Sequence, residues 1–281
     1  MRAASRAARR DERRLGLVPT MGALHEGHLS LVRLAKSRSD CVAASVFVNP
    51  AQFGPNEDFA KYPRNFDSDC KLLEAEGVNL LFAPSVEEMY PEGSRTFVHV
   101  EKLSEGLCGA FRPGHFRGVT TVVSKLFNIV EPDLAFFGQK DAAQVSIVRR
   151  MVRDLDFDVE IVVGPTIRER DGLAMSSRNA YLSPAERKQA TVLYRALMRV
   201  QTLTDSGERG AAKLIAAARD VLAEEPAVQV EYVEAVNNDA LDPVIDVSSG
   251  ALVAVAARLG GTRLIDNIVL TGVGTAHNPA K

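Results

Sequence analysis

No apolar run in the chain approaches the ~20 residues that a membrane-spanning helix requires, and the first residues lack the apolar core of a secretory signal. A cytoplasmic location with no membrane partner is therefore expected. Cysteine is scarce: Cys41, Cys70 and Cys108 are three in 281 residues, odd in number and widely spaced. They fit neither a disulfide framework nor a zinc pattern and read as reduced packing residues. Charge of one sign is lacking too. Against 34 Lys and Arg stand 36 Asp and Glu, a net charge of −2 without the basic excess that nucleic-acid binding shows, so no nucleic-acid partner is expected.

What is present is an ordinary globular composition, 46% hydrophobic and 25% charged, with material for one large or two smaller domains. The first fourteen residues carry six arginines against Asp11 and Glu12, which reads as a surface helix. Beyond them, short apolar or β-branched runs (Leu15–Val18, Val42–Val48, Leu80–Ala83, Leu134–Phe137, Val159–Val163) alternate with helical patterns. Those helices cover Leu29–Ser39, Asp67–Glu76, Val119–Ile129 and Ala142–Leu155. This alternation is the signature of a parallel sheet wrapped by helices, an α/β fold. Thr96–Val100 reads as an additional strand. Near residue 180, Ser183-Pro184-Ala185-Glu186 supplies an N-cap, a first-turn proline and a capping-box glutamate, so a long helix is expected to start there. An Ala-rich helix over Ala211–Ala223 follows, then strands over Val228–Val236, Ala251–Ala257 and Arg263–Leu270. That order suggests domains of 1–180 and 181–281, the second a small α+β domain.

The most informative segment is Pro19-Thr20-Met21-Gly22-Ala23-Leu24-His25-Glu26-Gly27-His28, directly after the first strand. A strand-to-helix turn presents unpaired backbone N–H groups and a partial positive charge, and Gly22 and Gly27 let a polyanion approach closely. His25 and His28, three apart, share a helix face and can donate to phosphate oxygens. Zinc is disfavoured, because zincin histidines are spaced four apart and no third ligand sits nearby.

In open parallel sheets, ligands gather beyond the carboxyl ends of the strands. After Val42–Val48 comes Asn49-Pro50-Ala51-Gln52-Phe53, whose amides suit a polar substrate, although Asn-Pro is also common turn chemistry. After Leu134–Phe137 comes Gly138-Gln139-Lys140-Asp141, with Gln144 one turn on. Lys140 can reach a phosphate while Asp141 orients it or simply caps the helix. After Val159–Val163 comes Thr166–Asn179, in which Ser176, Ser177 and Arg178 offer donors. A mobile polyphosphate contact and a solvated surface loop both fit that composition.

Together, Pro19–His28, Phe47–Phe53, Gly138–Asp141 with Gln144, and Asp171–Asn179 resemble the pantothenate synthetase family in order and spacing. Tyr62-Pro63-Arg64, Phe82–Ser85, Arg112–Val119 and Tyr181–Ser183 extend the likeness into the second domain. The resemblance implies a Rossmann-like nucleotidyltransferase fold of the His-x-Gly-His superfamily with a smaller C-terminal lid. It also implies a ligase that condenses pantoate and β-alanine with ATP through pantoyl adenylate, on the route to pantothenate and coenzyme A. In that family pattern Met21, Gly22, Ala23, Leu24, His25, Glu26, Gly27 and His28 bind ATP, with His28 the proton donor and His25 and Lys140 beside it. Gly138, Gln139, Lys140, Asp141, Ile167, Met175, Ser176, Ser177 and Arg178 complete the ATP site. Gln52 and Gln144 hold pantoate, with Asn49 in the same polar set. Magnesium is expected with ATP, held mostly by phosphates and water, with Asp69 its candidate protein ligand. A homodimer is expected on the same ground. A related nucleotidyltransferase that stops after AMP transfer, or a silent relative, are the alternatives.

Overall fold

A computed structural model of the chain describes residues 1–272, which form two compact units. The first comprises Met1–Gln139 and Ile147–Ile167; the second comprises Lys140–Ser146 and the chain from Arg168 onward.

The first unit is built on five strands, β1 (Leu15–Thr20), β2 (Cys41–Val46), β3 (Leu80–Phe82), β4 (Leu134–Gly138) and β5 (Glu160–Gly164), in the order β3-β2-β1-β4-β5. Every pairing is parallel. Leu15, Leu17, Val18, Ala43, Ala44 and Phe136 are fully or almost fully buried, as central strands covered on both faces require. The helices are α1 (Arg2–Arg10), α2 (Glu26–Arg38), α3 (Phe66–Ala75), α4 (Val86–Met89), α5 (Cys108–Phe111), α6 (His115–Val130) and α7 (Ala142–Asp154), whose first residues count with the second unit. Strand order reverses at β1, with β2 on one side and β4 on the other, so the carboxyl ends of β1 and β4 border the crevice where open sheets bind ligands.

The arginine-rich start is the surface helix α1: Ser5 and Ala8 are buried, Arg6 pairs with Glu131 at 3.2 Å and Arg9 with Asp133 at 3.3 Å. Thr96–Val100 does not form a strand. Thr121 Oγ1 accepts from Val98 N at 3.0 Å and Thr120 Oγ1 donates to Val98 O at 2.7 Å, so α6 side chains satisfy backbone groups that a sheet would otherwise engage. Cys41 and Cys108 are buried thiols, and among the described residues no disulfide forms; burial pushes the Cys41 thiol up.

The second unit packs α8 (Pro184–Ala190), α9 (Val192–Asp205) and α10 (Ala211–Leu222) with an antiparallel sheet of β6 (Val228–Val236), β7 (Ala251–Leu259) and β8 (Thr262–Leu270), in that order. Leu193, Leu197, Leu214, Leu222, Val253 and Val255 belong to its core. Gly260, at φ +56, and Gly261 form the two-residue β7–β8 turn, where positive φ matches the strand twist. The capping box at Ser183 and Glu186 is present, but the single long helix is not. Thr191 Oγ1 donates to Lys188 O at 2.7 Å, a local bond that ends α8 before α9 begins. Among the described residues no helix is long and apolar enough to cross a membrane.

Candidate active site

The β1–α2 turn is a strained loop held by one carboxylate. Gly22 and Ala23 both adopt left-handed backbone, at φ +78 and +51, which is unfavourable for alanine. Buried Asp69, on the first turn of α3, offsets this by accepting from Ala23 N at 2.9 Å and Leu24 N at 2.8 Å. At the base of the loop, Thr20 Oγ1 donates to Ser45 O at 2.7 Å and accepts from Gly22 N at 3.2 Å. Both Asp69 oxygens accept from backbone donors, which makes the residue the brace of this loop. Among the described residues no cluster of three His, Cys, Asp or Glu is arranged to hold a metal ion.

His25 is the N-cap of α2 rather than a residue within it: its Nδ1 accepts from Gly27 N at 3.1 Å, and His28 Nδ1 accepts from His25 N at 3.3 Å. A nitrogen that accepts from a backbone N–H carries no proton, so in the neutral rings the proton sits on Nε2 of each imidazole. The rings lie 4.1 Å apart between centroids. The helix start thus presents two Nε2–H donors together with its own partial positive charge. Glu26 points to the surface instead, where Arg33 bridges it to Glu76 and the Arg33 hydrogen bond holds its carboxyl below the usual range.

The turn after β2 is equally organised. Buried Asn49 donates through Nδ2 to Gln52 Oε1 and to Gly118 O, both at 3.1 Å, and accepts through Oδ1 from Tyr90 OH at 2.8 Å. One of these bonds supports Gln52, whose Nε2 lies 3.0 Å from Met21 Sδ. The first unit therefore brings Gln52 against the first residue of the histidine loop. Burial pushes the Tyr90 phenol up to about 12 despite its bond to Asn49, so it stays a neutral donor. Behind the turn, His115 Nδ1 lies 2.8 Å from Gln52 O and His115 Nε2 lies 3.0 Å from Arg112 Nη1. A guanidinium only donates, so Nε2 accepts and the Nδ1–H donates to the Gln52 carbonyl. Arg112 also pairs with Glu57 at 2.5 Å. Desolvation raises the Glu57 carboxyl, but the Arg112 hydrogen bond and charge outweigh it and leave it below the usual range.

In the second unit, Lys140 lies 3.7 Å from Asp141, consistent with the aspartate orienting it, and Gln144 is half-buried on α7. The segment after β5 is no open loop. Arg168 and Ala174 form an antiparallel bridge, Glu169 N donates to Leu173 O at 2.9 Å, and Gly172 turns the chain at φ +92. Arg187 clamps the hairpin through Glu169 at 2.8 Å and Asp171 at 2.7 Å. Ser176 then caps the turn Ser177–Tyr181 by accepting from Arg178 N at 3.3 Å. Met175, Ser176, Ser177 and Arg178 are half-buried, as is Ile167 at the end of the first unit.

The sequence profile described as Pantoate-beta-alanine ligase matches residues 1–269. The chain belongs to the pantoate-β-alanine ligase family. A pantothenate synthetase of Koribacter versatilis is 59% identical over 279 residues, covering 99% of this chain and 96% of the relative. The crystal structure of a Thermus thermophilus pantothenate synthetase superposes with a TM-score of 0.91 at 51% identity, covering 95% of this chain and 96% of that one. A pantoate-β-alanine ligase from Francisella tularensis, solved with β-γ ATP and β-alanine, gives a TM-score of 0.76 at 34% identity, covering 92% and 90%.

Three supports in this family site escape a reading of sequence alone: Asp69 beneath the histidine loop, Tyr90 beneath Asn49, and the Glu57–Arg112–His115 chain beneath Gln52. They come from distant segments, and no local spacing signals them. Arg112–Val119 stood out only as part of the family pattern. Its second glycine is required because a Cβ at Gly118 would collide with the Ala51 carbonyl group.

Proposed function

We propose that the chain condenses pantoate with β-alanine, using ATP, through a pantoyl-adenylate intermediate. A pantoate carboxylate oxygen attacks the α-phosphorus, the bond to the β-phosphate bridging oxygen breaks, and pyrophosphate leaves. The amine of β-alanine then attacks the acyl carbon, loses a proton, and expels AMP to give the amide. The observation that carries this reading is the pair of Nε2–H imidazoles at the α2 N-terminus with the Gln52 amide beside Met21.

In this reading, His25 and His28 donate to phosphate oxygens as charge builds in the first step, His28 serving as the proton donor. The backbone from Met21 to His28 cradles the nucleotide, and Glu26 acts through the helix start rather than by contact. Gly138–Asp141, Ile167 and Met175–Arg178 are further ATP residues, Lys140 and Arg178 offsetting phosphate charge. Gln52 and Gln144 hydrogen-bond pantoate without adding a charge that competes with ATP, and Asn49 keeps Gln52 in its rotamer. Magnesium enters with the nucleotide, bound by phosphates and water; no protein residue is assigned to it. A cytoplasmic homodimer belongs to the same reading, and sedimentation of the purified chain tests the dimer.

The deciding experiment is ATP–pyrophosphate exchange with magnesium, with and without pantoate, and with β-alanine omitted. Exchange that depends on pantoate is the expected result, followed by amide formation when β-alanine is added. Exchange that ignores pantoate, or ATP binding without exchange, would overturn the assignment.

A further inference from the structure

Two neighbours on β8, Asp266 and Asn267, are buried polar residues to which nothing above gives a task. Asp266 accepts from Arg168 through both oxygens, Nη1 to Oδ2 at 2.6 Å and Nη2 to Oδ1 at 3.0 Å. Its Oδ1 also accepts from Asn267 N at 2.8 Å. The same Arg168 Nη1 donates to Gly172 O at 3.0 Å, and the guanidinium lies 4.5 Å from the centre of the Tyr194 ring. Arg168, first cation of the loop, is thus engaged by the protein through both terminal nitrogens. The order it imposes passes onward: Asn179 Nδ2 donates to Glu169 Oε1 at 2.8 Å and to Ala174 O at 3.1 Å, tying the hairpin to the turn that begins at Ser176 and Ser177.

Asn267 acts on a different segment. Its Nδ2 donates to Lys140 O at 2.9 Å, the backbone of the turn that carries the lysine. Consecutive side chains of a strand leave by opposite faces, so one strand reaches both segments at once. A buried acid–arginine pair is an inefficient way to add stability, because desolvation offsets most of the attraction. This pair and the Asn267 amide bond stand side by side, one on each candidate phosphate-binding segment of this unit, which points to a role in fixing the geometry of those segments.

We propose that Asp266 and Asn267 are positioning residues that hold the Lys140 turn and the Arg168–Arg178 loop in one fixed arrangement for ATP. This rests on the reading of Lys140 and Ser176–Arg178 as ATP residues. A displacement of about 1 Å in such a shell costs as much as 10²-fold in rate; because these segments are read as holding ATP itself, the contacts are expected to show in nucleotide affinity as well.

The test compares wild type with Asp266→Asn and Asn267→Ala. Calorimetry measures Kd for magnesium–ATP, exchange kinetics measure KM for ATP and for pantoate, and thermal melting serves as the fold control. Both variants are expected to raise Kd and KM for ATP roughly tenfold or more, while KM for pantoate moves less than about twofold. A merely structural role would lower Tm and the active fraction yet leave Kd and KM for ATP at wild-type values, and that outcome overturns the proposal. If Asp266→Asn does not fold, Asn267→Ala, which removes the donor to the Lys140 carbonyl, decides. A wild type that binds ATP but shows no pantoate-dependent exchange defeats the ligase reading, while the Kd comparison still decides the role of the pair. A wild type that binds no ATP overturns both.

Discussion

The histidine loop and the Arg168–Arg178 loop are both proposed to meet phosphate, yet they are held by opposite means. The first is shaped by its backbone: left-handed Gly22 and Ala23, a helix start capped by an imidazole, and one buried carboxylate accepting two N–H groups. The second is shaped by side chains: Arg168 on Asp266, and Arg187 on Glu169 and Asp171. Backbone donors have few ways to move, so the first loop presents its dipoles without reorganisation, which suits the place where charge develops. Exposed ion pairs weaken with salt, so the Arg187 pairs of the second loop respond to ionic strength more than the backbone bonds of the first do.

The largest expected effect separates chemistry from scaffold. His28→Ala should lower the ATP–pyrophosphate exchange rate by ~10²–10³ and lower Tm less than His25→Ala does, since it removes only the longer, 3.3 Å half of the capping box. His25→Ala should lose a comparable rate and also about 1 kcal/mol of stability, since it removes the N-cap of α2. Equal melting curves for the two variants would contradict the capping role.

Next in size is the brace. Asp69→Ala leaves the amides of Ala23 and Leu24 without their carboxylate and should cost about 2–3 kcal/mol in urea unfolding. Asp69→Asn, which keeps one acceptor, should fall between that and wild type. If the alanine variant instead unfolds like wild type but binds magnesium–ATP more weakly only when the metal is limiting, Asp69 is a metal ligand after all.

The smallest effect probes the second loop. The hydrogen bond from Arg187 holds the Asp171 carboxyl below its usual range, outweighing desolvation. A depressed native pKa contributes stability that is present above the unfolded value, about 3.9, and is lost as pH falls through the native value. Asp171 is largely exposed, so Asp171→Asn should cost less than about 1 kcal/mol at neutral pH. The gap between the two melting curves should start to narrow below about pH 4 and close once the pH is below the native value of Asp171; a gap that persists there would rule out the ion pair as its cause.

Period and punctuation in the sequence reached the parallel sheet, the helix after β1 though three residues short of its start, the Ser183 capping box and the C-terminal strands. Each is a local matter: β-branched runs, caps and glycines act on their own backbone within a few residues. The motifs after β1, β2 and β4 were legible for the same reason, because the chemistry follows each strand directly. Thr96–Val100 shows where local reading stops. Its β-like composition is real, but α6 hydroxyls rather than a strand take the Val98 backbone.

The chain order alone thus determined which residues are proposed to bear the chemistry: two histidines at a strand-to-helix turn, two amides, a lysine and a serine-arginine turn. Tertiary structure alone decided what each of them does. The same carboxylate type serves as brace in Asp69, arginine anchor in Asp266 and surface partner in Glu26, according to the donor that folding brings to it. A carboxylate accepts whatever donor stands within ~3 Å, and that donor is set by packing between segments as far apart as 98 residues.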